Sequence, residues 1–191
     1  MSSLYNSFLV SDLFEFCAHG KYEELEELLS EEPEIDIEIT DKNGKTPLIR
    51  TLSTNHWGID DKLLRVIKIL LKNGANTEAR DQNGNTALCL ASWNGKIEFA
   101  KILLEYGACI EAKNNDESTP LNIASYEGYY PDYLLFLIGK GADIHSKDRE
   151  GESTFSREMK RYEEDNTDAY TYDYEKEDSY KKLFKSLYKL R

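Results

Sequence analysis

The sequence predicts an all-α solenoid of stacked helix-turn-helix units with hairpin-like turns, about four to five units including degenerate caps, plus a C-terminal amphipathic helix. Three observations predict it. The segments DKNGKTPL from Asp41, DQNGNTAL from Asp81 and NNDESTPL from Asn114 align with one another. Each opens a short helical stretch followed by a second one, and the second closes on a glycine within KILLKNGANTEAR, KILLEYGACIEAK or FLIGKGADIHSK, ending at Arg80, Lys113 and Lys147. Neither helix of such a pair is long enough to bury its apolar face alone, so each unit must stack on a neighbour. Residues 1–191 therefore read as a single repeat domain.

Taken in order, residues 1–40 are an acidic N-terminal capping repeat. Asp12 to Gly20 followed by Tyr22, Leu25, Leu28 and Leu29 has the form of a half-degenerate unit, and its eleven acids against the lone base Lys21 fall on the outward side. A terminal unit needs such a wet face. The unit 41–80 carries an insertion near 55–61, from Asn55 through Trp57 to Asp61, which should project as a loop. The unit 81–113 is the clearest: Gly84 is free to take positive φ in the turn, Thr86 is placed to cap a helix from Ala87 to Asn94, and Gly95 breaks it. Ile97, Ala100, Ile102, Leu103 and Leu104 then recur at helical spacing until Gly107. Pro47 and Pro120 sit at the first helical position of the sister units, where a missing N–H is harmless. The unit 114–147 has Glu117 where its sisters have the turn glycine.

Residues 148–191 read as a degenerate C-terminal cap. Asp148 to Gly151 restarts a unit, but Ser153-Thr154-Phe155 leads into EMKRYEEDNTDAY rather than a regular helix pair, and the solenoid is expected to end there. An acidic, tyrosine-rich segment follows, with Tyr162, Tyr170, Tyr172 and Tyr174. Tyr180, Leu183, Phe184, Leu187, Tyr188 and Leu190 then form an apolar stripe with lysines opposite. Three readings of residues 179–191 stand: a cap docked on the last repeat, a docking peptide for a partner's groove, or a membrane-surface helix.

This pattern resembles the ankyrin repeat. The resemblance rests on Thr46-Pro47-Leu48, Thr86-Ala87-Leu88 and Thr119-Pro120-Leu121, and on Gly74-Ala75, Gly107-Ala108 and Gly141-Ala142-Asp143, and it covers about residues 10–160. The family's histidine after T-P-L is replaced by Ile49, Cys89 and Asn122, so a hydrogen bond that ties neighbouring turns should be missing and local stability lower. The resemblance implies a protein partner on the concave surface of turn tips and exposed first-helix positions. Those positions here are Glu15, Arg50, Leu90 and Ile123 in one row, Ala18, Ser53, Trp93 and Tyr126 in the next, and His19, Thr54, Asn94 and Glu127 in a third. The tips add Lys42, Asn43, Gln82, Asn83, Asn115, Asp116, Arg149 and Glu150, and the insertion adds Trp57. Trp93 and Tyr126 should be neighbours, either as binding anchors or packed on each other to stiffen adjacent repeats.

Charge narrows the partner. Of the net charge of -12, residues 1–40 contribute −10, while the extreme C-terminus is basic. Such a field repels phosphate backbones and attracts basic surfaces, so nucleic acid is not an expected partner. No apolar run exceeds the six residues Tyr133 to Ile138, so no integral membrane association is expected, and the opening MSSLYNSFLV lacks the basic charge of a secretory signal. The expected setting is the cytoplasm. Cys17, Cys89 and Cys109, without CxxC spacing, read as reduced, buried thiols rather than disulfides or zinc ligands. No nucleophile, phosphate-loop or zinc-protease motif is present, the histidines at 19, 56 and 145 lie in different units, and no cofactor or metal is expected. The sequence thus reads as a non-catalytic, monomeric protein-interaction module, an adaptor, scaffold or host-directed effector. The alternative is an immunity protein or inhibitor that neutralises a basic partner such as a toxin or nuclease.

Overall fold

The computed structural model describes residues 2–53, 60–127 and 130–165. Trp57 and most of the expected insertion, the tyrosine-rich segment from 166 and the expected terminal helix of residues 179–191 lie outside the described residues. The elements are α1 (Ser2–His19), α2 (Tyr22–Glu31), α3 (Pro47–Leu52), α4 (Asp60–Lys72), α5 (Ala87–Trp93), α6 (Ile97–Glu105), α7 (Pro120–Glu127), α8 (Pro131–Gly139) and α9 (Thr154–Asp165). Among the described residues there is no strand, only an isolated bridge between Lys147 and Ser153. The expected all-α, repeating architecture is what the chain adopts.

One turn launches each first helix. The Oδ1 atoms of Asp41, Asp81, Asn114 and Asp148 each accept the main-chain N–H groups two and four residues on, at 2.8–3.0 Å. A hydroxyl then caps the helix: Thr46, Thr86, Thr119 and Ser153 accept from the N–H groups of Ile49, Cys89, Asn122 and Ser156. These side chains satisfy donors that a bare helix start would leave orphaned. Second helices end alike. The N–H groups of Ala75, Ala108 and Ala142 reach back to the carbonyls of Leu70, Leu103 and Leu137, the bond that closes a helix through a left-handed residue.

The chain divides into two compact units, the first made of Met1–Leu90 and Glu98–Cys109, the second of Ala91–Ile97 and the chain from Ile110. In the first, α1 packs on α2 and α3, and α4 packs on α2 and α3. Its core includes Leu13, Leu25, Leu48, Ile67, Leu70 and Leu103. α1 begins at Ser2, ten residues before the expected unit start at Asp12. Cys17 lies in this core; burial pushes its thiol up to about 12, against a hydrogen bond from Thr51 that pulls the other way. Cys109 departs from the expectation of buried thiols: it is exposed, because it sits in the loop after the helix end where its N–H is held by Glu78 Oε1 at 2.9 Å. Glu38 holds the N–H of Asn76 in the same way, also at 2.9 Å.

In the second unit α7 packs on α8 and α9. Tyr133 is buried with its hydroxyl 2.9 Å from Ser92 Oγ. Glu111 Oε1 accepts the N–H of Asp143 at 2.8 Å, repeating the Glu38 and Glu78 contacts. The next place in that series is His145, whose ring lies 5.2 Å from that of Phe155. Asn122 corrects one expectation. Its Oδ1 accepts from the N–H and hydroxyl of Thr119, and its Nδ2 donates to the Ser146 carbonyl and Thr154 hydroxyl. An amide has both donor and acceptor, so it restores the link between turns that an apolar residue such as Ile49 has no atoms to make.

The unit opened by Asp148 also goes further than the sequence implied. Its capped helix, α9, runs for 12 residues, against 6 for α3 and 7 for α5.

Two backbone positions yield predictions. Glu117 has φ +57, the same left-handed conformation that Gly84 takes at φ +74 in the sister turn. Glu117→Gly should raise stability by about 0.5–1 kcal/mol, because relief of the Cβ clash outweighs the added freedom of the unfolded chain; urea denaturation reads the change, and no gain would mean the strain is absent. Gly95 has φ +61, and a Cβ there would meet the Tyr130 ring at 2.5 Å. Gly95→Ala should cost about 2 kcal/mol or more in the same assay, and cutting Tyr130 back to alanine should recover only part of it, because the positive φ strains any Cβ there.

Candidate partner-binding surface

In the first unit the turn tips stand clear of the core: Lys42, Asn43, Gln82 and Asn83 are exposed. They are not independent, since Gln82 Nε2 donates to the Lys42 carbonyl at 3.3 Å. Arg50 on α3 and Leu90 on α5 are half-buried, with Ser53 beside them. Glu15 and His19 are exposed on α1, where Glu15 pairs with Lys21 at 2.5 Å. Ala18, expected in an exposed row, is buried, drawn in where α1 packs on α3. Thr54 and Trp57 lie outside the described residues.

In the second unit Trp93 closes α5 and leaves 52% of its surface open, with Asn94 half-buried next to it. Ile123 corrects an expectation: at 4% exposure it is a core residue. α7 lies against both α8 and the long α9, which closes a row of α7 that a partner would otherwise reach.

Tyr126 keeps 37% of its surface but is bound within its own unit. Its hydroxyl donates to Asp148 Oδ2 at 2.7 Å and lies 2.9 Å from Ser118 Oγ. One ring face is taken by the Arg157 guanidinium, 4.2 Å from the centroid. Arg157 also donates to Asp148 Oδ2 at 2.8 Å and to Ser125 Oγ at 2.9 Å. One turn of α9 further along the same face, Arg161 pairs with the buried Glu158 and donates to the Tyr126 carbonyl. Tyr126 is thus the stacking and hydrogen-bonding platform for α9. The tips Asn115 and Asp116 are exposed and bridged by Arg149, which bonds both of their carbonyls and pairs with the Asp116 carboxylate at 3.2 Å.

Sequence reasoning missed Asp148, Arg157 and Arg161. The available signal was Arg157 and Arg161 at i, i+4 after a turn aspartate, a spacing that puts both guanidinium groups on one helix face. Burial works against the ionised Asp148, but hydrogen bonds from Tyr126, Arg157 and the Glu152 N–H, with the charge of Arg157, outweigh it and hold its carboxyl below the ordinary value.

Among the described residues no three His, Cys, Asp or Glu side chains are grouped to hold a metal ion, and no helix is long and apolar enough to cross a membrane. Capped helix pairs, launched by one recurring turn and closed by one recurring helix end, define an all-α repeat protein. The family model for ankyrin repeats, in three copies, matches residues 56–148, so this stretch is built of ankyrin repeats. Ankyrin repeats generally mediate protein–protein interactions.

The Asp148 cluster sets a pH dependence. A carboxyl depressed below its unfolded value of 3.8 contributes stability that is complete above that value and is lost as pH falls through the folded one. Asp148→Asn should therefore lower stability at neutral pH and flatten the acid limb of the stability curve, read by urea midpoints between about pH 5 and pH 2. Arg157→Ala should cost about 3 kcal/mol, since it leaves a carboxylate with 1% exposure without its cation. A loss below about 1 kcal/mol would show that the pair is not worth more than a surface ion pair.

Proposed function

We propose that this chain is a non-catalytic adaptor or scaffold that holds a protein partner on its second unit, anchored at Trp93. The observation that carries this is the 52% exposure of Trp93, a large aromatic at the end of a first helix. Tryptophan has few rotamers to freeze and much area to bury, and such residues dominate interface energetics. Tyr126, engaged with Asp148 and Arg157, belongs to the support rather than to the anchor. Polar tips at Asn115 and Asp116 supply the rim that specific interfaces place around an apolar centre. Cys17, Cys89 and Cys109 form no disulfide among the described residues, which favours a reducing compartment such as the cytosol.

A second reading, an inhibitor of a basic partner, draws on α2. Glu23, Glu24, Glu26, Glu27 and Glu31 are all exposed on it, while the nearby Lys21 is committed to Glu15. A face of one sign speeds association with an oppositely charged surface and makes it sensitive to salt.

One experiment separates the readings. The partner is captured at low and moderate salt with wild type, with Trp93→Ala and with Glu26→Lys/Glu27→Lys. Trp93→Ala should weaken the adaptor complex about thirtyfold, the equivalent of roughly 2 kcal/mol, while leaving the fold unchanged by circular dichroism. A complex indifferent to Trp93 would remove the proposed anchor. A single stoichiometric basic partner, weakened by salt and by the α2 charge reversal, would favour the inhibitor.

A further inference from the structure

Second helices of this chain share a register when aligned on their closing glycines, Gly74, Gly107 and Gly141. On α4 and α6 the outward position six residues earlier holds Lys68 and Lys101, both exposed. On α8 it holds Leu135. One residue on, Ile69 and Ile102 are buried at 8% and 9%, whereas Phe136 is only half-buried. Ile138 is also half-buried, where Leu71 of α4 is buried. Two positions before the closing glycine, Lys72 and Glu105 become Gly139. α8 therefore presents Leu135 and Phe136, both half-buried, where its sisters have exposed lysines and covered isoleucines, and beside them Ile138, half-buried as Leu104 is on α6. Lys140 reaches the Phe136 ring only at 5.8 Å, near the outer limit of a cation–π contact.

The repeat itself indicates what belongs on that face. α9 has the place of a first helix: it follows the Asp148 turn, carries the Ser153 cap and packs on α7. In the first unit, second helices lie side by side, α4 against α2. The described residues hold no second helix for the unit that Asp148 opens. Residues 179–191 have the composition of one, with Tyr180, Leu183, Phe184, Leu187 and Tyr188 at helical spacing and Lys181, Lys182, Lys185 and Lys189 on the other side. The connecting residues 166–178 reach up to roughly 40 Å when extended. That is more than enough to return along α9, which is about 18 Å long.

We propose that residues 179–191 dock in cis along α8, set Leu183, Phe184 and Leu187 against Leu135, Phe136 and Ile138, and so complete the last unit. The tether favours this occupant over a second copy, because a short linker holds the segment at an effective concentration of about millimolar. In the docked state the lysines face solvent, as Lys68 and Lys101 do on α4 and α6.

The test uses the full chain. Leu135→Lys installs the residue type that α4 and α6 carry; with Leu135 half-buried it costs little while the lysine can still reach solvent, but under a docked segment it buries an ammonium group. The proposal expects Leu135→Lys to lower the urea midpoint, Leu183→Asp/Leu187→Asp to lower it similarly, and the triple variant to fall no further than either, the signature of one shared contact. An unchanged or raised midpoint for Leu135→Lys, or fully additive losses, overturns it. Independently of variant stability, a photo-crosslinker in place of Phe184 should join to an α8 peptide of its own chain in a mixture of isotopically light and heavy protein. Crosslinks between chains that rise with concentration would assign the face to a second copy, and crosslinks absent from α8 would leave the segment elsewhere. Either result overturns docking in cis.

Discussion

A single side-chain oxygen that accepts two main-chain N–H groups is the constraint from which the rest of this structure follows. It recurs at Asp41, Asp81, Asn114 and Asp148, and each time it turns the chain so that a hydroxyl five residues later stands at a helix start. Geometry, not charge, matters at the position, since Asn114 does with an amide oxygen what its sisters do with a carboxylate. The same reasoning explains why Glu117 is tolerated with φ +57: the Asn114 oxygen bonds on both sides of it, to Asp116 and Ser118, and fixes the turn against the preference of one residue.

Turns made alike can be joined alike. Glu38, Glu78 and Glu111 each accept the N–H of the residue at the same place in the following loop, Asn76, Cys109 and Asp143. Gln82 to Lys42 and Arg149 to Asn115 and Asp116 add a second line of contacts at the tips. Each bond is exposed and worth about 1 kcal/mol or less. Their effect is to fix register from one repeat to the next, the nearest-neighbour coupling on which repeat proteins depend. His145 ends the glutamate series and packs on Phe155 instead, a change from polar coupling to ring packing where α9 begins.

The helices and turns were legible because their determinants are local. A turn Asp or Asn, a cap hydroxyl and a closing glycine lie within a few residues of what they control, so the letters from Asp81 to Gly107 suffice to place α5 and α6 to within a residue. The surface was less legible because exposure depends on the neighbour. Arg50, Leu90 and Ile123 hold the same place in their repeats, yet Ile123 is buried on a helix that α9 packs against, and the sequence reads the start of α9 as the end of the solenoid. Asn122 was misjudged for a related reason. Counting it as the absence of a histidine overlooked that its partners, Ser146 and Thr154, arrive from a turn 24 to 32 residues away.

Tyr126 shows how the end of the repeat array reshapes the surface. A first helix inside such an array can leave an aromatic at this row free for a partner, as Trp93 is on α5. Beside α9 the same row carries a tyrosine whose hydroxyl, ring face and carbonyl are engaged by Asp148, Arg157 and Arg161. The charges in α9 that set it apart from a regular unit are the ones that hold it: Arg157 neutralises the turn aspartate, and Arg161 the buried Glu158. Ionic attachment suits a helix with few apolar residues, because paired and hydrogen-bonded charges specify one position where sparse hydrophobic contact would allow several. The aromatic pair that the sequence suggests is therefore two residues with different work, one left open to solvent and one spent on anchoring α9.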